Sequence, residues 1–184
     1  MSRIFVLLLL TFGSGGVMAE GFNYSFVGAG YSSAKVTGET GDGFGIGGSA
    51  ALSENWHLFA GYETLGFDLD VDVSSLSIGV GFNTPISETI DVVAQVSYLS
   101  VEADTPLGTA DESGYGIGVG LRAWVSDRVE LNGSISYADL GDGADDTAFG
   151  AGVQFYVTEQ FSIGLGLGFA DDVDTYTLGG RFFF

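Results

Sequence analysis

Apolar and polar residues alternate with a repeat of two along most of this chain. In the segment 115–125, aromatic and aliphatic residues occupy the odd positions, whereas glycines, Arg122 and Trp124 occupy the even positions. The segments 76–83 and 161–170 place small residues opposite large apolar ones in the same way. A two-residue repeat over about ten residues predicts a β-strand with one apolar face.

Ten such segments, joined by connections that alternate in length, predict an all-β transmembrane barrel. The predicted strands span residues 22–33, 43–52, 56–66, 74–84, 90–103, 113–125, 129–139, 147–157, 161–170 and 174–184. Short turns alternate with longer acidic segments at 37–42, 67–73, 104–112, 141–146 and 171–173. Outer-membrane barrels combine short periplasmic turns with longer outer loops. We therefore predict an antiparallel up-and-down barrel of ten strands with both ends in the periplasm; the alternative is eight strands and one hairpin outside the membrane.

The placement of aromatic residues favours this barrel over a soluble β-sandwich. Tyrosines fall toward the outer ends of the predicted strands at Tyr31, Tyr62, Tyr98, Tyr115, Tyr137 and Tyr176. Other aromatic residues fall toward the periplasmic ends at Phe22, Trp56, Phe82, Phe155, Phe161, Phe182 and Phe184. Two aromatic belts around an aliphatic band are typical of transmembrane barrels.

The N-terminus predicts a secretory signal peptide. A short basic segment at 1–3 is followed by an apolar run at 4–12 and by the small-residue pattern Val17-Met18-Ala19. The predicted organisation is a signal peptide at 1–19 and a barrel at 20–184. Beyond the signal peptide, no apolar run reaches the roughly 18 residues that a transmembrane helix needs.

Charge and residue usage exclude several classes of function. The chain has 24 acidic residues against 5 Lys and Arg, so its formal net charge of −19 disfavours nucleic-acid binding. It has no Cys and a single His, and we predict no cofactor. The glycine pattern at 43–48 resembles a nucleotide-binding motif, but it lies within a predicted strand with no helix after it. His57 follows a periplasmic turn with no second His to act as a base, so we predict no enzymatic activity.

Two buried arginines are the candidate lumen site. Strand alternation turns Arg122 and Arg181 inward near the periplasmic end, and facing lipid near the midplane would cost each about 2–4 kcal/mol. Inside the barrel each needs carboxylate partners. We expect these partners to be Glu130 and Asp91, with Glu63 reaching from higher in the lumen. Inward residues nearer the outside are mostly glycine and serine, which predicts a plugged periplasmic floor beneath an open outer cup; the alternative is that they only relieve crowding in a narrow barrel.

The outer loops and their margins hold 16 of the 24 carboxylates. No loop matches a calcium-binding sequence pattern. We predict diffuse divalent-cation binding that bridges these carboxylates to lipopolysaccharide phosphates, with Asp142, Asp145 and Asp146 as candidate ligands. The alternative is that the acids only keep a solvated surface soluble.

The last predicted strand carries the most specific motif. Thr177, Gly179, Phe182 and Phe184 occupy the positions of the C-terminal assembly signal of outer-membrane proteins, polar-x-Gly-x-x-aromatic-x-aromatic. With the signal peptide and the strand pattern, the mature chain resembles the OmpA/OmpX-type small outer-membrane β-barrel superfamily. The resemblance implies insertion by the outer-membrane assembly machinery, among outer-membrane lipids and lipopolysaccharide of a bacterial cell. We therefore expect a non-enzymatic barrel with a structural or surface-interaction role, with a narrow channel as the alternative and an enzyme as a weaker one.

We expect deletion of Phe184 to impair assembly, because the terminal aromatic residue belongs to the insertion signal. The measurement is the heat-modifiable, folded fraction of the protein in isolated outer membranes. Equal folded fractions for the truncated and the full chain would contradict this use of the motif.

Overall fold

The computed structural model describes residues 21–68, 70–141 and 145–184. Ten strands close into an antiparallel barrel in which each strand pairs with its neighbours along the chain and the first pairs with the last. The strands are β1 (Phe26–Val36), β2 (Glu39–Ala51), β3 (Trp56–Phe67), β4 (Val71–Ser87), β5 (Ile90–Thr105), β6 (Gly108–Ser126), β7 (Val129–Asp139), β8 (Asp145–Tyr156), β9 (Phe161–Ala170) and β10 (Val173–Phe183). The predicted fold class and strand number are confirmed. Within the described residues, no helix is long and apolar enough to cross a membrane.

The two-residue repeat separates a lipid-facing surface from the lumen. On β6, Ile117, Val119 and Leu121 point outward and are about half exposed, whereas the next residue, Arg122, points inward and is buried. Small inward residues let the strands curve tightly, because inward side chains crowd one another in a narrow barrel. Gly43 shows the constraint directly, since a Cβ atom there would overlap the backbone carbonyl of Thr64 on the adjacent strand.

Several strands extend further at the outer end than predicted. The predicted acidic loop at 37–42 is a two-residue turn in which Thr37 and Gly38 have φ angles of 48° and 97°. Positive φ at both central positions is what a tight β-hairpin requires. Likewise, the predicted loop at 104–112 is mostly paired backbone, turning at Pro106 and Leu107. These ends were missed because most of their side chains are polar and exposed, so backbone pairing continues where apolar alternation stops.

The N-terminal segment also differs from the prediction. β1 begins at Phe26 rather than at residue 22, and Phe22 and Tyr24 before it contact Arg122 at the periplasmic end of the lumen. The ring of Phe22 stacks on Trp124 inside the barrel, with centroids 5.6 Å apart, so Phe22 does not belong to the periplasmic aromatic belt. The predicted signal peptide and its boundary at residue 20 lie outside the described residues.

The other residues of the two aromatic belts point outward. Tyr31, Tyr98 and Tyr176 are 42%, 52% and 52% exposed at the outer level, and Trp56 is 49% exposed at the periplasmic level. Trp56 also packs edge-on against Phe82, with ring centroids 5.0 Å apart. Such amphipathic rings stabilise a barrel at the headgroup level on both sides of the membrane.

β10 holds three residues of the assembly motif, and the fourth, Phe184, directly follows it. Its pairing with β1 closes the barrel, with Thr177 opposite Ser32 and Gly179 opposite Gly30. Thr177 and Gly179 lie on the lumen side, whereas Phe182 and Phe184 are 49% and 67% exposed on the lipid-facing side.

Candidate functional site in the barrel lumen

The periplasmic third of the lumen contains a buried ion pair between neighbouring strands. Arg122 on β6 donates to Glu130 on β7 through Nε and Nη2, each 2.8 Å from a different carboxylate oxygen. The hydroxyl of Tyr156 donates to Glu130 Oε2 at 2.8 Å. Arg122 is 3% exposed and Glu130 is 0% exposed. A bidentate pair of this kind is held by strong charge-assisted hydrogen bonds, which fix the positions of both side chains in the lumen.

Aromatic rings from the N-terminal segment cover the same arginine. The guanidinium carbon of Arg122 lies 4.4 Å from the ring centroid of Phe22 and 4.9 Å from that of Tyr24. Cation–π contacts strengthen when water is excluded, as it is at this buried group. Sequence patterns gave no signal for this packing, because residues 22–25 continue the inward alternation of β1 without joining its ladder.

Asp91 and His57 lie in a second group beside the ion pair. The Tyr24 hydroxyl donates to Asp91 Oδ2 at 2.8 Å, and the Tyr24 ring stacks on His57 with centroids 4.7 Å apart. His57 Nδ1 lies 3.2 Å from the side-chain oxygen of Asn83, and His57 is 2% exposed. An imidazole held between an amide and an aromatic ring, with almost no exposure, is placed to fill space rather than to meet a substrate.

Arg181 lies on the opposite side of the floor, on β10. With the Gln154 side-chain oxygen turned toward it, the two guanidinium Nη atoms donate to that oxygen at 3.1 and 3.3 Å, and the Gln154 nitrogen donates to Ser162. The guanidinium also lies 5.3 Å from the ring centroid of Phe26. Phe26 and Phe183 are fully or almost fully buried, and together with Trp124 and Tyr156 they fill the space between the charged groups. We call these residues, with Arg122, Glu130 and Arg181, the periplasmic network.

A small cavity of about 50 Å³ lies above this network. Its walls are largely glycine, and its polar side chains are Ser32, Glu63, Asn132, Gln154, Thr177 and Arg181. Glu63, which was expected to extend down to the arginines, lies in this cavity wall at a level above the Arg122–Glu130 pair and is 1% exposed. The structure therefore brings Arg122 and Glu130 together directly and places Asp91 beside them, hydrogen-bonded to Tyr24. Glu63 lies higher, in the wall of a cavity that Arg181 also lines.

The outer third of the lumen is apolar, and the expectation of an open outer cup is wrong. The inward side chains there pack into one buried cluster, with Phe67, Val71, Leu99, Ala103 and Ala170 against it. We call this the outer apolar cluster; its buried members are Ala34, Val36, Leu65, Val73, Val101, Leu140 and Val173. The small residues occupy the middle of the barrel instead. Extending the inward alternation past the tyrosine belt would have revealed valines and leucines on that face.

The candidate cation ligands lie at the outer rim. Asp145 and Asp146 begin β8, whereas Asp142 lies outside the described residues. Asp146 lies above the Tyr137 level, outside the membrane, and its pKa is raised by burial and further by the nearby Asp171 carboxylate. Within the described ranges, no three acidic or histidine side chains come together in a metal-binding arrangement.

The β5–β6 hairpin extends beyond the rest of the outer rim. β6 pairs with β5 from Gly108 onward but pairs with β7 only from Tyr115 onward. Among the described residues, positions 108–114 of β6 therefore have no strand partner on the β7 side. Leu107 at the tip is 100% exposed. An unpaired strand edge presents backbone donors and acceptors to which another extended chain can add.

The chain matches one family of known proteins and is similar to several solved structures. The sequence model for the outer membrane protein β-barrel domain matches residues 5–169. No curated protein sequence matches the chain significantly. Similar solved structures include the N-terminal β-barrel domain of OprF from Pseudomonas aeruginosa, with a TM-score of 0.49 and 11% identity over 88% of this chain and 98% of that one. Neisserial surface protein A has a TM-score of 0.45 and 16% identity over 90% of this chain and 100% of that one. Ail, the attachment invasion locus protein of Yersinia pestis, has a TM-score of 0.44 and 16% identity over 87% and 97%.

We expect Arg122→Ala to lower the free energy of unfolding by about 3–5 kcal/mol, because it leaves Glu130 buried without its cation. The matched control is Arg128→Ala, in an exposed periplasmic turn, which should change stability by only about 0.5 kcal/mol. The double variant Arg122→Met, Glu130→Leu should recover much of the loss, since it removes both charges. Urea unfolding in lipid vesicles, followed by tryptophan fluorescence, measures all three. If Arg122→Ala were as stable as the Arg128 control, the pair would have no structural role.

Proposed function

Because this chain belongs to the outer membrane protein β-barrel domain family and lies in the bacterial outer membrane, we propose that it is a non-enzymatic barrel with a closed lumen. In this proposal the barrel serves as a rigid membrane support, and its acidic outer end interacts with partners at the cell surface. The observation that carries the proposal is that side chains fill the lumen at two separate levels. We infer from this filling that the periplasmic network closes one end and the outer apolar cluster closes the other.

The two levels oppose ion passage by different physics. At the periplasmic end, an ion would have to separate the bidentate Arg122–Glu130 pair. Separation is costly because it leaves two buried charges without their partners. At the outer end it would have to leave water and pass among side chains such as Leu65, Val73 and Val101, which offer it no polar partner. Neither barrier depends on the other, so the loss of one leaves the second in place.

The geometry of His57 supports a non-enzymatic role. The imidazole is buried at the periplasmic end between Tyr24 and Asn83, so substrate at the outer rim has no path to it. General base catalysis requires the base to lie within hydrogen-bond reach of the reacting group.

The acidic outer end supports a surface-interaction role. Hairpin residues such as Asp104, Asp111 and Glu112 surround the unpaired edge of β6 with negative charge. Such a surface repels anionic partners and favours divalent cations, which in turn bridge to lipopolysaccharide phosphates. The partners proposed on this basis are outer-membrane lipids, lipopolysaccharide and divalent cations, with the outer-membrane assembly machinery acting during insertion and no role for nucleic acid.

Planar-bilayer recordings test the closed lumen. We expect no steady conductance from the wild type. A double variant that weakens only one level should conduct little; the two such variants are Arg122→Ala with Arg181→Ala at the periplasmic end and Leu65→Ser with Val101→Ser at the outer end. Combining all four substitutions should produce a steady current, because both barriers are then lowered. Each variant is first shown to be folded by its heat-modifiable mobility in gels.

Stable single-channel currents from the unmodified protein would overturn the closed-lumen proposal. They would favour the alternative function, a narrow channel, for which the glycine walls of the middle cavity provide the supporting observation.

Divalent cations test the acidic rim. We expect millimolar Ca²⁺ or Mg²⁺ to raise the Tm of the folded barrel by mass action, since binding to the native state alone stabilises it. Replacing Asp142, Asp145 and Asp146 with Asn should reduce the shift, whereas the periplasmic control Glu88→Gln should not. Equal shifts for the wild type and the triple variant would exclude this loop as a cation site.

A further inference from the structure

Glu63 is a buried acid that the periplasmic network does not use. It lies on β3, opposite Gly45 on β2 and Ser75 on β4. Because both neighbours are small, the side chain extends into the middle cavity, where it is 1% exposed. The described residues show no ion pair to its carboxylate, and Ser32 is a polar neighbour of it in the cavity wall.

The charges of the buried lumen residues do not balance. The described set contains three carboxylates, on Glu63, Asp91 and Glu130, against the guanidinium groups of Arg122 and Arg181. Arg122 is engaged with Glu130, and Arg181 with Gln154. A buried carboxylate without a compensating positive charge is strongly destabilising, so the lumen as a whole needs one more cation or one more proton.

The cavity provides both the room and the ligands for a small cation. Neutral oxygen atoms are available from Ser32 and Thr177, whose hydroxyls lie 3.2 Å apart, and from the side chain of Asn132. A water molecule needs about 10–15 Å³ of such space. The volume of about 50 Å³ therefore holds one ion with two or three waters.

We propose that this cavity binds a monovalent alkali cation, coordinated by the carboxylate of Glu63 and by the surrounding hydroxyl and amide oxygens. A single carboxylate neutralises a single charge, and Arg181 in the same wall disfavours a divalent ion. Hard cations prefer oxygen ligands of this kind. The site goes beyond the proposed function, since a closed barrel needs no bound ion.

The test compares salts of equal ionic strength on the folded protein in neutral detergent micelles. The Tm of wild type, Glu63→Gln and the rim control Asp171→Asn is measured in NaCl, KCl and choline chloride. For the wild type, Na⁺ or K⁺ should raise the Tm by roughly 3–5 °C over choline when the ion exceeds its Kd about tenfold. Asp171→Asn should keep this shift. Glu63→Gln should lose it, and in choline chloride it should be at least as stable as the wild type.

Three results would overturn the proposal. Equal wild-type Tm values in all three salts would show that no alkali ion binds. An alkali shift that persists in Glu63→Gln would assign the response to other carboxylates. An infrared carbonyl band of a protonated carboxylic acid at pH 8 in NaCl, absent from Glu63→Gln, would show that a proton takes the place of the ion. None of these results depends on whether the barrel conducts, so the closed-lumen proposal stands or falls separately.

Discussion

Closure of the strand ladder is the constraint on which the rest of this structure depends. No water is available in the membrane core to satisfy backbone donors and acceptors, so the first and last strands must pair with each other. The register of β1 with β10 completes that ladder from Phe26 opposite Phe183 to Val36 opposite Val173. A ladder of ten strands encloses a narrow lumen, and every inward side chain must fit within it.

The narrow lumen explains why its chemistry changes with depth. Where inward residues are glycines, a small cavity remains; where they are large, they meet across the barrel. At the periplasmic end the large residues are charged or aromatic, so they hold one another by directional bonds such as Arg122 to Glu130. At the outer end they are aliphatic, and packing alone holds them.

These two modes of filling have different consequences for specificity. The bonds around Arg122 and Arg181 require particular partners in particular places, and a single substitution leaves a buried charge behind. The outer apolar cluster tolerates exchange among residues of similar volume, because dispersion contacts are not directional. The acidic strand ends above that cluster meet water on both faces, so their sequence is free to serve interactions outside the membrane.

The sequence by itself determined the barrel and the inward placement of both arginines, favoured ten strands over eight, and gave the direction in which most strand side chains point. These features follow from local alternation, which the backbone imposes with a repeat of two. Which charged groups meet was decided only by the tertiary structure: register places Glu130 on the strand next to Arg122, whereas Glu63 faces the cavity above this pair. The outer apolar cluster and the packing of Phe22 and Tyr24 against Arg122 were likewise not predicted. Both arise from contacts between residues far apart in the chain; alternation along a single strand shows which residues face inward but not what they meet across the lumen.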